Sequence, residues 1–363
     1  MRIMVVDDSV VFRSQIKASL DGVEGIKVVA VAANGKIALE RLETSECDLI
    51  ILDLEMPEMT GLETLVELKR RNIPVKVIVF AAPTADGARQ AFEAFQEGAV
   101  DFVAKPASSG SLEEALEGIK RELVPKILQF VKRRAAAPVT EGLRQPSSAT
   151  RPEVPQAPKK PYSTIDLKIF KPRIILVASS TGGPSALETI FSMFKQIQNI
   201  NVPILIAQHM PPNFTACLAQ RLEVVSGIPA AEGKSGEFVK PGRIYIAPGD
   251  FHMTVQRTSD GVNSVIKIDQ GPKRNSVRPA ADNLFESVAK AYGGTVAAFV
   301  LTGMGEDGCA GAKAIKQATG GVMIQCRESS VVWGMPGSVF EAEAFDGIGD
   351  LSECSRTMIR MAT

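Results

Sequence analysis

The chain has 363 residues, 45% of them apolar, with 41 Lys+Arg against 41 Asp+Glu and five scattered cysteines without CxxC spacing. A balanced charge gives no global field for nucleic acid or an acidic membrane surface, the odd cysteine count argues against a disulfide framework or a zinc site, and the length suits two domains. No apolar run reaches the ~18 residues of a membrane span, and the first residues lead straight into two acids, so a cytoplasmic protein is expected.

In chain order, the apolar runs Ile3–Val6, Val28–Val31, Leu49–Leu52, Val75–Phe80 and Phe102–Ala104 alternate with amphipathic helical segments. That alternation predicts an α/β domain with a doubly wound parallel sheet, whose ligands gather at the carboxyl ends of the strands. Asp7 and Asp8 follow the first run, Asp53 the third, and Lys105, before Pro106, the fifth. Solvated acids at strand ends are the plain alternative. Their joint placement is more specific: converging carboxylates beside an ammonium suit a hard cation such as Mg²⁺, with an aspartate as phosphoryl acceptor.

The motifs VVDDS, LDLEMPEMTG and GAVDFVAKP make the first ~125 residues resemble a response-regulator receiver domain of flavodoxin-like fold. The resemblance implies that a partner histidine kinase phosphorylates Asp53. It also implies that Asp7, Asp8, Asp53 and the backbone carbonyl of Glu55 hold Mg²⁺, and that Lys105 pairs with the phosphate. Phe102 matches the aromatic switch position. Ala81 departs from the pattern, standing where the family carries a Thr or Ser hydroxyl.

Between about Arg133 and Pro172 the sequence turns rich in proline, alanine, serine and charge with no apolar period, the composition of a linker. The expected division is a receiver over 1–125, a helical extension and Pro-rich linker over 126–170, and a second domain over 171–363. There a new alternation begins. Its strands are expected at Ile174–Ala178, Val202–Ala207, Arg243–Ala247, Thr295–Leu301 and Gly321–Ile324, with a hairpin across His252–Asp269. No internal repeat is evident, so two unlike α/β domains are predicted.

Within VASSTGG, Ser180 sits between a buried strand and a helix opened by Pro184, a turn that leaves backbone N–H groups free for a developing oxyanion. A serine nucleophile needs a base, and the chain has two histidines, His209 and His252. His209 ends the strand after that of Ser180, so parallel neighbours bring their tips together; His252 opens the hairpin. Asp307, in the glycine-rich LTGMGEDG, can orient the imidazole from a third strand end. Alternatively, that segment is a tight turn or a phosphate cradle, and Asp307 a cap of the following helix. The order Ser, His, Asp and the lack of GxSxG exclude the α/β-hydrolase arrangement.

From about Lys171 onward, SSTGGP, AQHMPPNFT, YIAPGDFHM, LTGMGEDG and SSVVWGMPG are similar to the catalytic domain of the chemotaxis protein-glutamate methylesterases, a Rossmann-like fold. The resemblance implies Ser180 as nucleophile, His209 as general base and acid, Asp307 as the orienting carboxylate, and the Met304 N–H in the oxyanion site. Thr181 and the Gly182 region would line the same pocket. Cys326, Val277, Ala280 and Ala281 depart from the family pattern outside this set. The implied reaction is hydrolysis of glutamate γ-methyl esters on chemoreceptors, with receptor glutamine deamidation as related chemistry and no cofactor for the ester step. In this family the receiver covers the esterase site until phosphorylated. A DNA-binding output would need a small basic helix-turn-helix module, which this long, strand-rich second domain in a neutral chain is not. For a nucleotide-binding output no GxxxxGK loop is present, and the GxGxxG spacing of Gly303, Gly305 and Gly308 within TGMGEDG is a weak signal alone.

Overall fold

The computed structural model describes residues 1–106, 111–134, 162–259 and 261–363. Most of the expected linker, residues 135–161, lies outside them. The first sheet is built by β1 (Arg2–Val6), β2 (Lys27–Ala32), β3 (Leu49–Asp53), β4 (Lys76–Ala81) and β5 (Asp101–Ala104). Between them run α1 (Val10–Leu20), α2 (Gly35–Thr44), α3 (Gly61–Arg70) and α4 (Ala85–Gln96), and α5 (Leu112–Arg134) follows. The strand order is β2-β1-β3-β4-β5, all parallel, the flavodoxin-like order. β3 is buried along its whole length because helices cover both faces, which is why its sequence is an unbroken apolar run ending in an acid. Helix starts follow the side-chain oxygens: Ser9 caps α1, Asn34 α2 and Thr84 α4, and Thr60 forms a capping box with Glu63 on α3.

The second sheet has seven parallel strands: β6 (Ile174–Ser179), β7 (Ile204–Gln208), β8 (Ala230–Glu232), β9 (Ile244–Ile246), β12 (Val296–Val300), β13 (Gly321–Gln325) and β14 (Gly347–Gly349). Strands β10 (His252–Arg257) and β11 (Ser264–Asp269) pair as the expected antiparallel hairpin. Helices α6 (Gly183–Ser192), α7 (Phe214–Ser226), α8 (Ala281–Tyr292), α9 (Cys309–Gln317), α10 (Met335–Glu341) and α11 (Leu351–Ala362) complete it. The order β14-β13-β12-β6-β7-β9-β8 reverses direction between β12 and β6. Such a switch point opens a crevice at the carboxyl edge.

Two boundaries differ from expectation. Helix α5 runs through residue 125 without a break and contains Pro125. At the other end, residues before 171 already belong to the second sheet's packing: Leu167 and Phe170 join its core, and the Ser163 carbonyl accepts from the Lys316 ammonium at 2.9 Å. That ammonium also pairs with Asp346 at 2.5 Å, both side chains being buried, while the Ile165 and Val322 N–H groups bind the same carboxylate. A buried ion pair is tolerated where further hydrogen bonds satisfy it, and here the chain entering the sheet supplies them. The second unit therefore begins by Tyr162.

The two units meet through α4, which packs on α6 and α7. Phe102 of β5 stacks on Phe214, the first residue of α7, with ring centroids 4.3 Å apart and planes 11° apart. Gln96 donates to Glu188 at 3.0 Å, and Asn213 to the Pro83 carbonyl at 3.2 Å. This face of the first unit thus lies on the carboxyl edge of the second sheet, the edge where β6 ends at Ser179 and β7 at Gln208.

Candidate active site and phosphoryl-acceptor pocket

Ser180 directly follows β6, and His209 directly follows β7. The Cα partners Ser179 and Gln208 close that ladder, so the two residues stand side by side at neighbouring strand tips. The His209 N–H donates to the Ser179 carbonyl at 3.1 Å, and the buried Gln208 amide donates to the Ser180 carbonyl at 3.0 Å. On the other flank the Ser180 N–H donates to Thr302 beyond β12 at 3.0 Å. Between them the chain turns through Gly182 at φ +75°, a left-handed conformation, where an added Cβ would lie 2.6 Å from Val331. A glycine is required there for both reasons. Gly303 gives the serine its room: a Cβ at that residue would stand 2.9 Å from Ser180 Cβ.

The His209 ring reaches Asp307 with Nε2 2.7 Å from Oδ2. A carboxylate accepts only, so Nε2 carries the proton and Nδ1 is left as the basic nitrogen. Asp307 is 2% exposed, and three more donors hold it: Ala281 N–H at 2.6 Å, Asp282 N–H at 3.1 Å and the Asn275 amide at 3.2 Å. Burial opposes its charge, but the His209 interaction and the Ala281 and Asp282 N–H bonds outweigh it, and its pKa lies below the ordinary carboxylate value. Those two N–H groups open α8, so Asp307 caps the preceding helix rather than the following one and takes the positive end of the α8 dipole. Asp282 returns the arrangement by accepting the Gly311 N–H of α9 at 2.7 Å.

His252 is committed elsewhere. It is 1% exposed, its Nδ1 accepts the Ala280 N–H at 3.2 Å and its Nε2 faces the Pro272 carbonyl at 2.9 Å, the pattern of a neutral structural imidazole. The N–H groups of Thr181 and Met304 find no hydrogen-bond acceptor among the described residues, whereas Thr181 Oγ1 donates to Asp101 of β5 at 2.5 Å. The Ser180 hydroxyl makes no hydrogen bond to another described residue, so the serine–base contact is not formed here.

At the first sheet's carboxyl edge, Asp7, Asp8 and Asp53 bring carboxylate oxygens within 4.8 Å of one another. Lys105 lies 2.8 Å from Asp53 and 3.4 Å from Asp7. Even so, Asp7 Oδ2 and Asp53 Oδ2 are buried without a hydrogen-bond partner. Burial pushes the Asp53 carboxyl up to about 6 against the opposing pull of Lys105, with the Asp7 charge adding to the rise; burial likewise raises Asp7. Unsatisfied buried carboxylate oxygens beside further acids fit an oxygen-ligated divalent cation. The Glu55 side chain points away to Gln90, and its N–H donates to Asp53 Oδ1 at 3.3 Å. Ala81 is buried at the end of β4, and its carbonyl accepts the Lys105 N–H at 2.7 Å.

Comparison with known proteins gives these two edges a shared context. The family described as CheB methylesterase matches residues 175–358, and the response regulator receiver domain matches residues 3–117. The chain belongs to the CheB methylesterase family. It carries a receiver domain ahead of the methylesterase domain. A protein-glutamate methylesterase/protein-glutamine glutaminase of Trichodesmium erythraeum is 42% identical over 359 residues, covering 99% of this chain and 98% of its own. One from Paramagnetospirillum magneticum is 40% identical, covering 100% and 96%. The crystal structure of the Thermotoga maritima CheB methylesterase catalytic domain is 38% identical, with a TM-score of 0.50 over 53% of this chain and 99% of that one.

Sequence reasoning missed four contributors. Asn275 and the α8 N–H groups lie more than 20 residues from Asp307, and Thr302 and Gln208 act on the nucleophile loop through a hydroxyl and an amide. For α8 a signal existed, since RPAAD places a proline just before a helix start.

Proposed function

We propose that this methylesterase hydrolyses glutamate γ-methyl esters on chemoreceptors in the cytoplasm, with deamidation of receptor glutamines by the same chemistry, and that phosphorylation of Asp53 by a chemotaxis histidine kinase regulates it. The observation that carries the reading is the His209–Asp307 pair, fixed by four donors on Asp307, beside Ser180 at the neighbouring strand tip. His209 Nδ1 takes the Ser180 proton as Oγ attacks the ester carbonyl. The free N–H groups of Met304 and Thr181 stabilise the tetrahedral oxyanion. Collapse expels methoxide, which leaves as methanol with the proton held by His209. Water, deprotonated by the same nitrogen, then frees the glutamate from the acyl-enzyme.

In the receiver, Asp7, Asp8, Asp53 and the Glu55 carbonyl would hold Mg²⁺, which neutralises charge on a transferring phosphoryl group. Asp53 accepts that group and Lys105 pairs with it. Phe102 and Asp101, stacked on Phe214 and bonded to Thr181, connect this pocket to the esterase edge. The unphosphorylated receiver therefore holds the nucleophile loop, and the proposed state is inhibited.

The test is methanol release from methylated receptor membranes. Ser180→Ala removes the attacking oxygen at a half-buried turn with little packing loss, and the expected fall in kcat is up to about 10⁶-fold. Release near the wild-type rate would overturn the serine mechanism. His209→Gln should be comparably damaging and His252→Gln much milder in rate.

A further inference from the structure

Asp307 and Asp282 are two carboxylates buried side by side, each 2% exposed. Between them lies the Asn275 side chain, whose amide nitrogen is 3.0 Å from Asp282 Oδ2 and 3.2 Å from Asp307 Oδ1. Both neighbours accept only, so the NH₂ end must face them, one hydrogen to each. Countercharge comes from one side alone: the Arg274 guanidinium stands 3.6 Å from Asp282 and pairs with Glu286 at 2.6 Å. Among the described residues no cationic side chain is hydrogen-bonded to Asp307 Oδ1; its donors are the Asp282 N–H and the Asn275 amide, and of these the amide stands between the two carboxylate groups.

The backbone places this amide. Arg274 and Val277 exchange both backbone hydrogen bonds, at 3.2 and 3.0 Å, and the residues between them, Asn275 and Ser276, have φ of 52° and 65°. A two-residue turn with both φ positive is the mirror-image hairpin turn, in which glycine is the least strained residue and asparagine is tolerated. Turn geometry alone would be served by glycine at 275. The asparagine adds only the side chain, and the side chain bridges Asp282 and Asp307.

We infer that Asn275 is a positioning residue of the ester hydrolysis: its amide fixes the Asp307 carboxylate so that Oδ2 stays directed at His209 Nε2, and it screens Asp307 from Asp282. This rests on Ser180, His209 and Asp307 being the catalytic set, and the tests separate the two claims.

Two variants keep the turn and change the donor. Asn275→Gly preserves the left-handed backbone and removes the amide; Asn275→Asp preserves shape and turn but replaces the donor with a third carboxylate. The expected order of kcat is wild type above Gly above Asp, with about a tenfold loss for Gly, a larger one for Asp and KM within about twofold. A role in the turn alone predicts Gly equal to or better than wild type. Because the chain has only two histidines, ¹⁵N-histidine labelling of the full-length protein gives an activity-independent readout. The Nε2–H proton resonance of His209, identified by its loss in His209→Gln, should move in both variants, while that of His252 stays fixed. Unmoved His209 resonances, or a kcat of wild-type size in Asn275→Gly alongside an inactive Ser180→Ala, overturn the positioning role and leave the serine mechanism standing. An active Ser180→Ala would instead overturn the catalytic set.

Discussion

The chain buries an aspartate at the carboxyl edge of each of its parallel sheets, and the two stand in opposite electrostatic states. Asp307 receives four donors and its pKa is lowered despite burial; Asp53 has one oxygen with no partner and its pKa is raised to about 6. Topology is the same, since Asp53 ends β3 and Asp307 follows β12, each strand lying where its sheet's order reverses. What differs is the source of the compensating charge. Asp307 draws on groups built into its own domain, a histidine and the start of α8, whereas Asp53 sits with two other acids and a single lysine. On the proposed roles the difference has a reason: a carboxylate that steadies an internal imidazole is satisfied by the fold, and one that would accept an incoming cation and phosphoryl group is left short.

The comparison breaks most severely at Asp307. Asp307→Asn keeps the shape but turns one acceptor into a donor that faces either His209 or the α8 N–H groups. By analogy with the same change in serine proteases, a fall of about 10⁴ in kcat is expected. Methanol release with folding checked by circular dichroism measures it. Activity within tenfold of wild type would mean that the α8 dipole, and not the carboxylate, orients His209.

The opposite substitution result is expected at Asp53. Its folded pKa is above the ordinary value of ~3.9, so the cost is small at pH 4, where the carboxyl is protonated in the fold and only about half ionised in the unfolded chain; it grows as the pH rises from there to about 6 and then levels off. Asp53→Asn should therefore stabilise the cation-free receiver by up to about 3 kcal/mol at pH 7.5 and by little at pH 4. Calorimetry in EDTA measures the gap, and Mg²⁺ should close it by stabilising the wild type. A gap independent of pH would show that desolvation of the charge is not what sets it.

How much of this was legible in the sequence follows the same division. Fully buried strands such as LIILD and IILVAS announce themselves as apolar runs, and the acids and serine that end them are read at once. The edge strands β8 and β14 were not anticipated: AAE and GIG are three residues each, too short and too mixed for a period, and they pair only because β9 and β13 offer a free edge. The donors on Asp307 were equally hidden, because backbone N–H groups leave no residue signature and Asn275 reaches it from a turn 32 residues away. Contacts between the units, such as Thr181 with Asp101, depend on docking that neither motif encodes.

Those contacts sharpen the comparison by joining its two halves. Removing the receiver should raise the unphosphorylated esterase rate, and a tenfold rise corresponds to a bias of about 1.4 kcal/mol between covered and open states. The fragment must start before Tyr162, since Ser163 and Ile165 complete the buried Lys316–Asp346 pair. Asp101→Ala in the full chain, which frees Thr181 without removing the cover, should give a smaller rise. Equal rates in all three proteins would exclude steric inhibition.

The smallest effect expected is at Ala81, where the receiver lacks a hydroxyl for the phosphoryl group. Its methyl is buried at the tip of β4 beside Asp53, and Thr84 does not stand in for it: Thr84 caps α4, its oxygen bound by the Gly87 N–H at 3.0 Å. Asp53 should still accept phosphate, because the cation and Lys105 supply the charge stabilisation. Coupling should be weak, since a ligand shifts a conformational equilibrium only by its differential affinity, and one contact to the active conformation is missing. Ala81→Thr should then raise the ratio of phosphorylated to unphosphorylated esterase rates about threefold, at a packing cost of about 1 kcal/mol for the added atoms. Both ratios are measured with a small-molecule phosphodonor at saturation, with Asp53→Asn as the unphosphorylatable control. Strong activation of the wild type with no gain in Ala81→Thr would show that Phe102, stacked on Phe214, transmits the signal without that hydrogen bond.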